Sequence, residues 1–138
     1  MRKMFSKNQI KELSVQAVNS GIESGDIKVV LNTSQTINFT LESEENTIPL
    51  ESKIEFFEKY NIFKVIFRDA GDNYWFIGLC FKNNNIIYGI GYNDLSSNIV
   101  SLHIFNRDNN GSIESYESNG DSVSFPANNY SLIITAII

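Results

Sequence analysis

Tyr74-Trp75-Phe76-Ile77-Gly78-Leu79-Cys80-Phe81-Lys82, then Asn83-Asn84-Asn85, then Ile86-Ile87-Tyr88-Gly89-Ile90-Gly91-Tyr92: two apolar runs of strand length joined by asparagines decide the fold class. The runs are rich in β-branched and aromatic residues, which suit a pleated surface, and asparagine tolerates the backbone of a turn. Outward from this pair the alternation continues. Ile62 to Arg68 precedes it, and Ile99 to Asn106, Ser112 to Glu117, Asp121 to Phe125 and Tyr130 to Ile138 follow. The breaks are Asp69 to Asn73, Asn93 to Ser97, Asp108 to Gly111, and Asn119-Gly120. Strands spaced by roughly 8–12 residues and joined by such turns predict an antiparallel sandwich or barrel.

Upstream, Ile27 to Leu31 and Thr36 to Leu41 read as two strands around Asn32-Thr33-Ser34-Gln35, and Glu42 to Thr47 as a polar loop. Glu51 to Tyr60 fits a helical turn or a strand, with a short helix or loop expected. The opening segment reads as a helix. Ser6 and Gln9 form a capping box, Phe5 can staple onto Ile10, and Gly21 stands where a left-handed terminator belongs. Ile10, Leu13, Ala17 and Val18 line one stripe of it. That stripe docks either on its own domain or on another subunit. The expected organisation is a docking helix over 1–21 and a jelly-roll-like antiparallel β-sandwich over 22–138, mainly β.

Several strands are apolar on both faces. Trp75, Ile77, Leu79 and Phe81 alternate with Tyr74, Phe76, Gly78 and Cys80, and Ile86, Tyr88, Ile90 and Tyr92 with Ile87, Gly89 and Gly91. A sandwich buries one face of each strand, so the surplus predicts a further layer or a homo-oligomer. Gly89 and Gly91 are expected to admit another chain or sheet at close range.

A net charge of -5 over 138 residues, with 11 scattered Lys and Arg, argues against nucleic acid and anionic membranes, which attract basic faces. The longest apolar stretch, Leu132 to Ile138, is far below membrane-spanning length, so no membrane insertion is expected. Met1-Arg2-Lys3-Met4 leads into the amphipathic helix with no apolar signal region, and the single Cys80 fits a reducing compartment.

No catalytic residue is predicted. His103 is the only histidine and Cys80 the only thiol, so a triad lacks its parts and zinc lacks its ligands. Asp69, Asp72, Asp94, Asp108 and Asp121 lie at turns in no calcium-loop spacing, where aspartate usually satisfies turn geometry. Neither cofactor nor metal is expected. Tyr74, Tyr88, Tyr92, Tyr116 and Tyr130 carry a polar tip, and an exposed tyrosine can stack on a sugar while its hydroxyl bonds to it; Tyr74, Tyr88 and Tyr92, with His103, are the surface-recognition candidates.

Two stretches resemble small virion proteins of phages and prophages from low-GC Gram-positive bacteria. Met4-Phe5-Ser6-Lys7-Asn8-Gln9-Ile10-Lys11-Glu12-Leu13 is similar to the amphipathic start of phage fibre and structural proteins, which implies anchoring to the particle. Tyr60 to Asp69, continuing to Asp72-Asn73-Tyr74, resembles a strand–turn–strand unit of their tail, fibre or receptor-binding domains. Together they cover about a fifth of the chain. The resemblance implies a non-enzymatic tail, fibre or head-decoration subunit located in the virion. Its partners would be itself, as a homo-oligomer with the family's trimeric habit, other virion proteins and a host cell-surface glycan. The chain departs from the pattern in its Ala70-Gly71-Asp72-Asn73 turn and lacks a repeat, shaft or coiled coil. A stand-alone carbohydrate-binding module and a small acidic inhibitor or immunity protein are the alternatives.

Overall fold

Side chains on a strand alternate between faces, and burial follows that period here. From Ile62 to Asp69 half-buried and buried residues alternate without a break. The computed structural model describes residues 11, 14–16, 18, 19, 33–51, 54, 57–107 and 111–137. The strands are β1 (Ser34–Leu41), β2 (Thr47–Leu50), β3 (Ile62–Asp69), β4 (Tyr74–Asn83), β5 (Ile86–Asn93), β6 (Asn98–Phe105), β7 (Gly111–Glu117) and β8 (Asn128–Ala136). They form one antiparallel sheet of eight strands in the order β1-β8-β3-β4-β5-β6-β7-β2.

The mainly β, antiparallel reading therefore holds, but the two packed sheets of a jelly-roll-like sandwich are not what forms. One sheet curls into a half-barrel and packs its concave side against itself. Chain connectivity requires the curl. β1 and β2 are the outermost described strands, yet only residues 42–46 join them. Five residues reach less than about 20 Å when extended, so the two edges must approach one another. The connection from β7 to β8 crosses the same seam at the same end, because Leu41 lies opposite Asn128 and Thr47 opposite Glu114. The two straps are tied together there: Phe125 N–H donates to the Glu45 carbonyl at 2.8 Å, and Glu45 N–H to the Phe125 carbonyl at 3.0 Å. The stretch Asp121 to Phe125, expected as a strand, is thus a strap with isolated bridges, and its Phe125 is buried in the barrel end.

The opposite end is closed by the link from β2 to β3, where Ile54 and Phe57 join the core and Phe57–Lys59 makes a 3-10 turn. Ile54 N–H donates to Asn106 Oδ1 at 2.9 Å, and Lys82 Nζ donates to the carbonyls of Phe57 and Glu58 at 3.0 and 3.2 Å. Between the straps a cleft of about 250 Å³ remains along the seam, flanked by Ile37, Phe39 and Leu41 of β1 and by Pro49 and Leu50 of β2.

The concave side holds the core. Phe63, Val65 and Phe67 of β3 face Leu102 and Ile104 of β6, Ile113 of β7, and Leu132 and Ile134 of β8 in one buried cluster. At the strapped end Phe67, Trp75, Phe125 and Tyr130 pack ring on ring, with centroids 5.2 to 6.3 Å apart. A register shift after Phe67 leaves Trp75 as the extra residue of a bulge, and so turns it inward beside Phe76. Its indole N–H donates to the buried Asp69 carboxylate at 3.0 Å. Asp69 also accepts from the backbone N–H of Gly71 and Asn73 at 2.9 and 3.1 Å, and from the Asn73 side chain at 3.2 Å. Burial pushes this carboxyl upward, but the four donor groups outweigh it and hold it below its usual value.

Gly89 and Gly91 admit a close neighbour, but the neighbour is β4 of the same chain. A Cβ at Gly91 would lie 2.3 Å from the Ile77 carbonyl oxygen, and one at Gly89 2.3 Å from that of Leu79. The glycines let β5 press against β4 on the concave side, with Phe76 against Gly91 and Cys80 against Gly89.

Residues 11, 14–16, 18 and 19 are helical, and Val18 retains 1% of its surface. Lys11 pairs with Asp94 after β5, and its Nζ stands 5.6 Å from the centre of the Tyr92 ring. The helix therefore lies on the convex face of its own sheet, over the row where Ile77 faces Tyr92, and both of these are buried. Ser6, Gln9, Ile10, Leu13, Ala17 and Gly21 lie outside the described residues, as does the strand expected over Ile27 to Leu31.

Candidate functional site

The convex face of β4 to β7 divides into a covered end and a bare end. Four cross-strand rows run over it. Ile66, Ile77, Tyr92 and Ile99 make the first, beneath the helix. Next come Leu79, Ile90, Ser101 and Tyr116, then Phe81, Tyr88, His103 and Glu114, then Ile86, Phe105 and Ser112. Beyond the helix large side chains stand exposed: Ile90 keeps 61% of its surface, Phe81 50% and Tyr88 43%, while Ile86 and Phe105 of the last row are half-buried. Exposed large apolar side chains gathered on one face mark a contact surface more often than singly scattered ones do.

The rings there are ordered by one another. Tyr88 and His103 stack with centroids 5.3 Å apart and planes at 10°, and Tyr116 meets the imidazole edge-on at 5.6 Å. Tyr116 Oη donates to Glu114 Oε2 at 2.8 Å, and Thr47 Oγ1 to Oε1 at 3.3 Å. The hydrogen bond to Glu114 holds the Tyr116 proton and raises its pKa. Partial burial lowers the His103 pKa against the pull of Glu114, which favours the neutral imidazole. At one corner the Arg107 guanidinium lies 5.2 Å from the centre of the Phe105 ring.

The four recognition candidates separate into two pairs. Tyr88 and His103 meet on the bare end. Tyr92 is buried, and the half-buried Tyr74 lies at the covered end, its carbonyl accepting from Asp94 N–H at 2.8 Å. Of the helix candidates, Val18 is buried within its own chain; Ile10, Leu13 and Ala17 belong to the residues not described. Phe81, Ile90, Phe105, Glu114 and Arg107 were not singled out from sequence. The signal for two of them was present: the Asn83-Asn84-Asn85 turn fixes the hairpin register, which puts Phe81 opposite Tyr88 and Ile90 opposite Leu79.

Cys80 is buried on the concave side, and burial pushes its thiol pKa up, while His103 stands on the convex side with the sheet between them. That separation leaves no thiol–imidazole pair. Among the described residues no three His, Cys, Asp or Glu side chains gather as a metal set. No described helix is long and apolar enough to cross a membrane. No family model, curated protein or solved structure matches the chain.

Proposed function

We propose that this chain is a non-enzymatic structural subunit of a phage or prophage virion. It works by packing and recognition, and the bare end of its β4–β7 face is the contact surface. The observation that carries the contact role is the exposure of Phe81, Tyr88 and Ile90 together on one face of a sheet whose other side is filled by its own core. The virion setting rests on the likeness of the opening segment and of the Tyr60 to Tyr74 unit to such proteins.

The ring geometry favours a protein partner over a sugar. Sugar stacking uses ring faces turned to solvent. Here one face of Tyr88 is taken by His103, and the most exposed neighbour is the aliphatic Ile90.

The test is mass spectrometry of particles banded from an induced lysate of the source cell. The chain is expected in them with portal or tail proteins, and an Ile90→Glu chain of unchanged circular dichroism is expected to be missing. Absence of the unaltered chain from the particles refutes the reading.

A further inference from the structure

We infer that the partner of the bare β4–β7 face is the same face of a second copy of this chain, with Arg107 of each copy opposite Glu114 of the other. The inference rests on the contact role argued above, and three observations choose the occupant. The chain carries a net charge of -5, so two copies repel unless they meet where acid is scarce. The bare rows are such a place: among the described residues Leu79, Phe81, Tyr88, Ile90, Phe105 and Tyr116 surround Glu114 as their one carboxylate. The surface also alternates bulk with gaps. Ile90 stands beside Ser101, and Phe105 beside Ser112, which leaves room between the large side chains.

The third observation is charge complementarity within the face itself. Arg107 lies just past the end of β6, over Phe105, while Glu114 lies one row further in, opposite His103. A two-fold axis in the contact plane, midway between them, sets each arginine against the partner's glutamate, and forms the same ion pair twice. An isologous contact needs this kind of self-matching. Among the described residues of β5 to β7 and the segment just past β6, the face supplies Arg107 as cation and Glu114 as anion, with Lys64 of β3 at its margin opposite Leu79.

The experiment is sedimentation equilibrium of the full chain, unaltered and as Arg107→Glu, Glu114→Arg and the double reversal. Both side chains reach solvent, and circular dichroism of each variant checks the fold. The unaltered chain is expected to form dimers. Each single reversal is expected to weaken association by about tenfold or more, and the double reversal to recover it to within about threefold. A monomeric unaltered chain overturns the inference, as does association indifferent to both reversals, or single losses that the double variant does not repair. Detection of the chain in particles is independent of these outcomes, so a failed dimer and a failed virion role are told apart.

Discussion

Replacing Gly91 with alanine tests how tightly the sheet is curled. The new Cβ would sit 2.3 Å from the Ile77 carbonyl oxygen, 2.8 Å from Phe76 Cε2 and 2.9 Å from the Ile77 carbonyl carbon. Two of those atoms are backbone in a paired strand and cannot swing aside. Overpacking of this kind costs roughly 1–3 kcal/mol, and backbone contacts put it toward the upper end. Removing a glycine from a strand returns about 0.5–1 kcal/mol. The net loss is then about 2 kcal/mol, which at roughly 3–4 °C per kcal/mol lowers Tm by about 6–8 °C. Gly120→Ala makes the comparison: nothing lies within 4 Å of its Cβ, and only its φ of +93° opposes the change. That strain is worth about 1 kcal/mol. Thermal unfolding followed by circular dichroism reads both. A Gly91→Ala Tm within about 2 °C of the parent refutes the close approach of β4 and β5, and with it the inward role of these glycines.

Asp69→Ala leaves the Trp75 indole N–H and the Gly71 and Asn73 amides without their acceptor, so urea unfolding is expected to show a loss of about 2–4 kcal/mol. Because the Asp69 pKa is lowered on folding, its contribution is complete above the ordinary 3.8 and fades as pH falls below it. Asp69→Asn should flatten that acid decline. His103 acts in the same direction at higher pH: its pKa is lowered from 6.5, so the unfolded chain takes up a proton first and stability falls as pH drops below 6.5. An imidazole NMR titration with a midpoint at or above 6.5 contradicts this. Val18→Ala removes methyl groups buried on the helix, with an expected loss of roughly 2 kcal/mol in the full chain. Unchanged stability would mean that the helix does not dock on its own sheet.

Much of the sheet was legible because its turns announce themselves. Asn84 takes a φ of 55° at the β4–β5 turn and Gly120 one of 93° after β7, the left-handed backbone that asparagine and glycine accept. Strand limits from β3 to β7 lie within a residue or so of the expected ones. β2 was not legible, since four residues that include Pro49 look like loop, and they pair only because the curl brings β7 alongside. The curl itself is a long-range property: it follows from a short link between edge strands, and no local pattern encodes it. Trp75 shows the same limit. Strict alternation puts it with Ile77 and Phe81, whereas the bulge after Phe67 turns it inward. The surplus of apolar strand faces was real, and the chain answers part of it internally. Ile77 and Tyr92 are buried at the end where Lys11 of the helix meets Tyr92 and Asp94, and Phe81, Tyr88 and Ile90 are left bare. Tyr92 could not be told from Tyr88 in sequence, because both fall on the same face of β5 and only the helix position separates them.

Hydroxyl-radical footprinting of the unaltered chain, dilute and then concentrated, bears most directly on whether the bare face exists to be covered. Trp75 and Tyr130 should resist oxidation at both concentrations, whereas Phe81 and Tyr88 should be oxidised when dilute and protected when concentrated. Equal oxidation of Phe81 and Tyr88 at both concentrations, or ready oxidation of Trp75, would contradict the account.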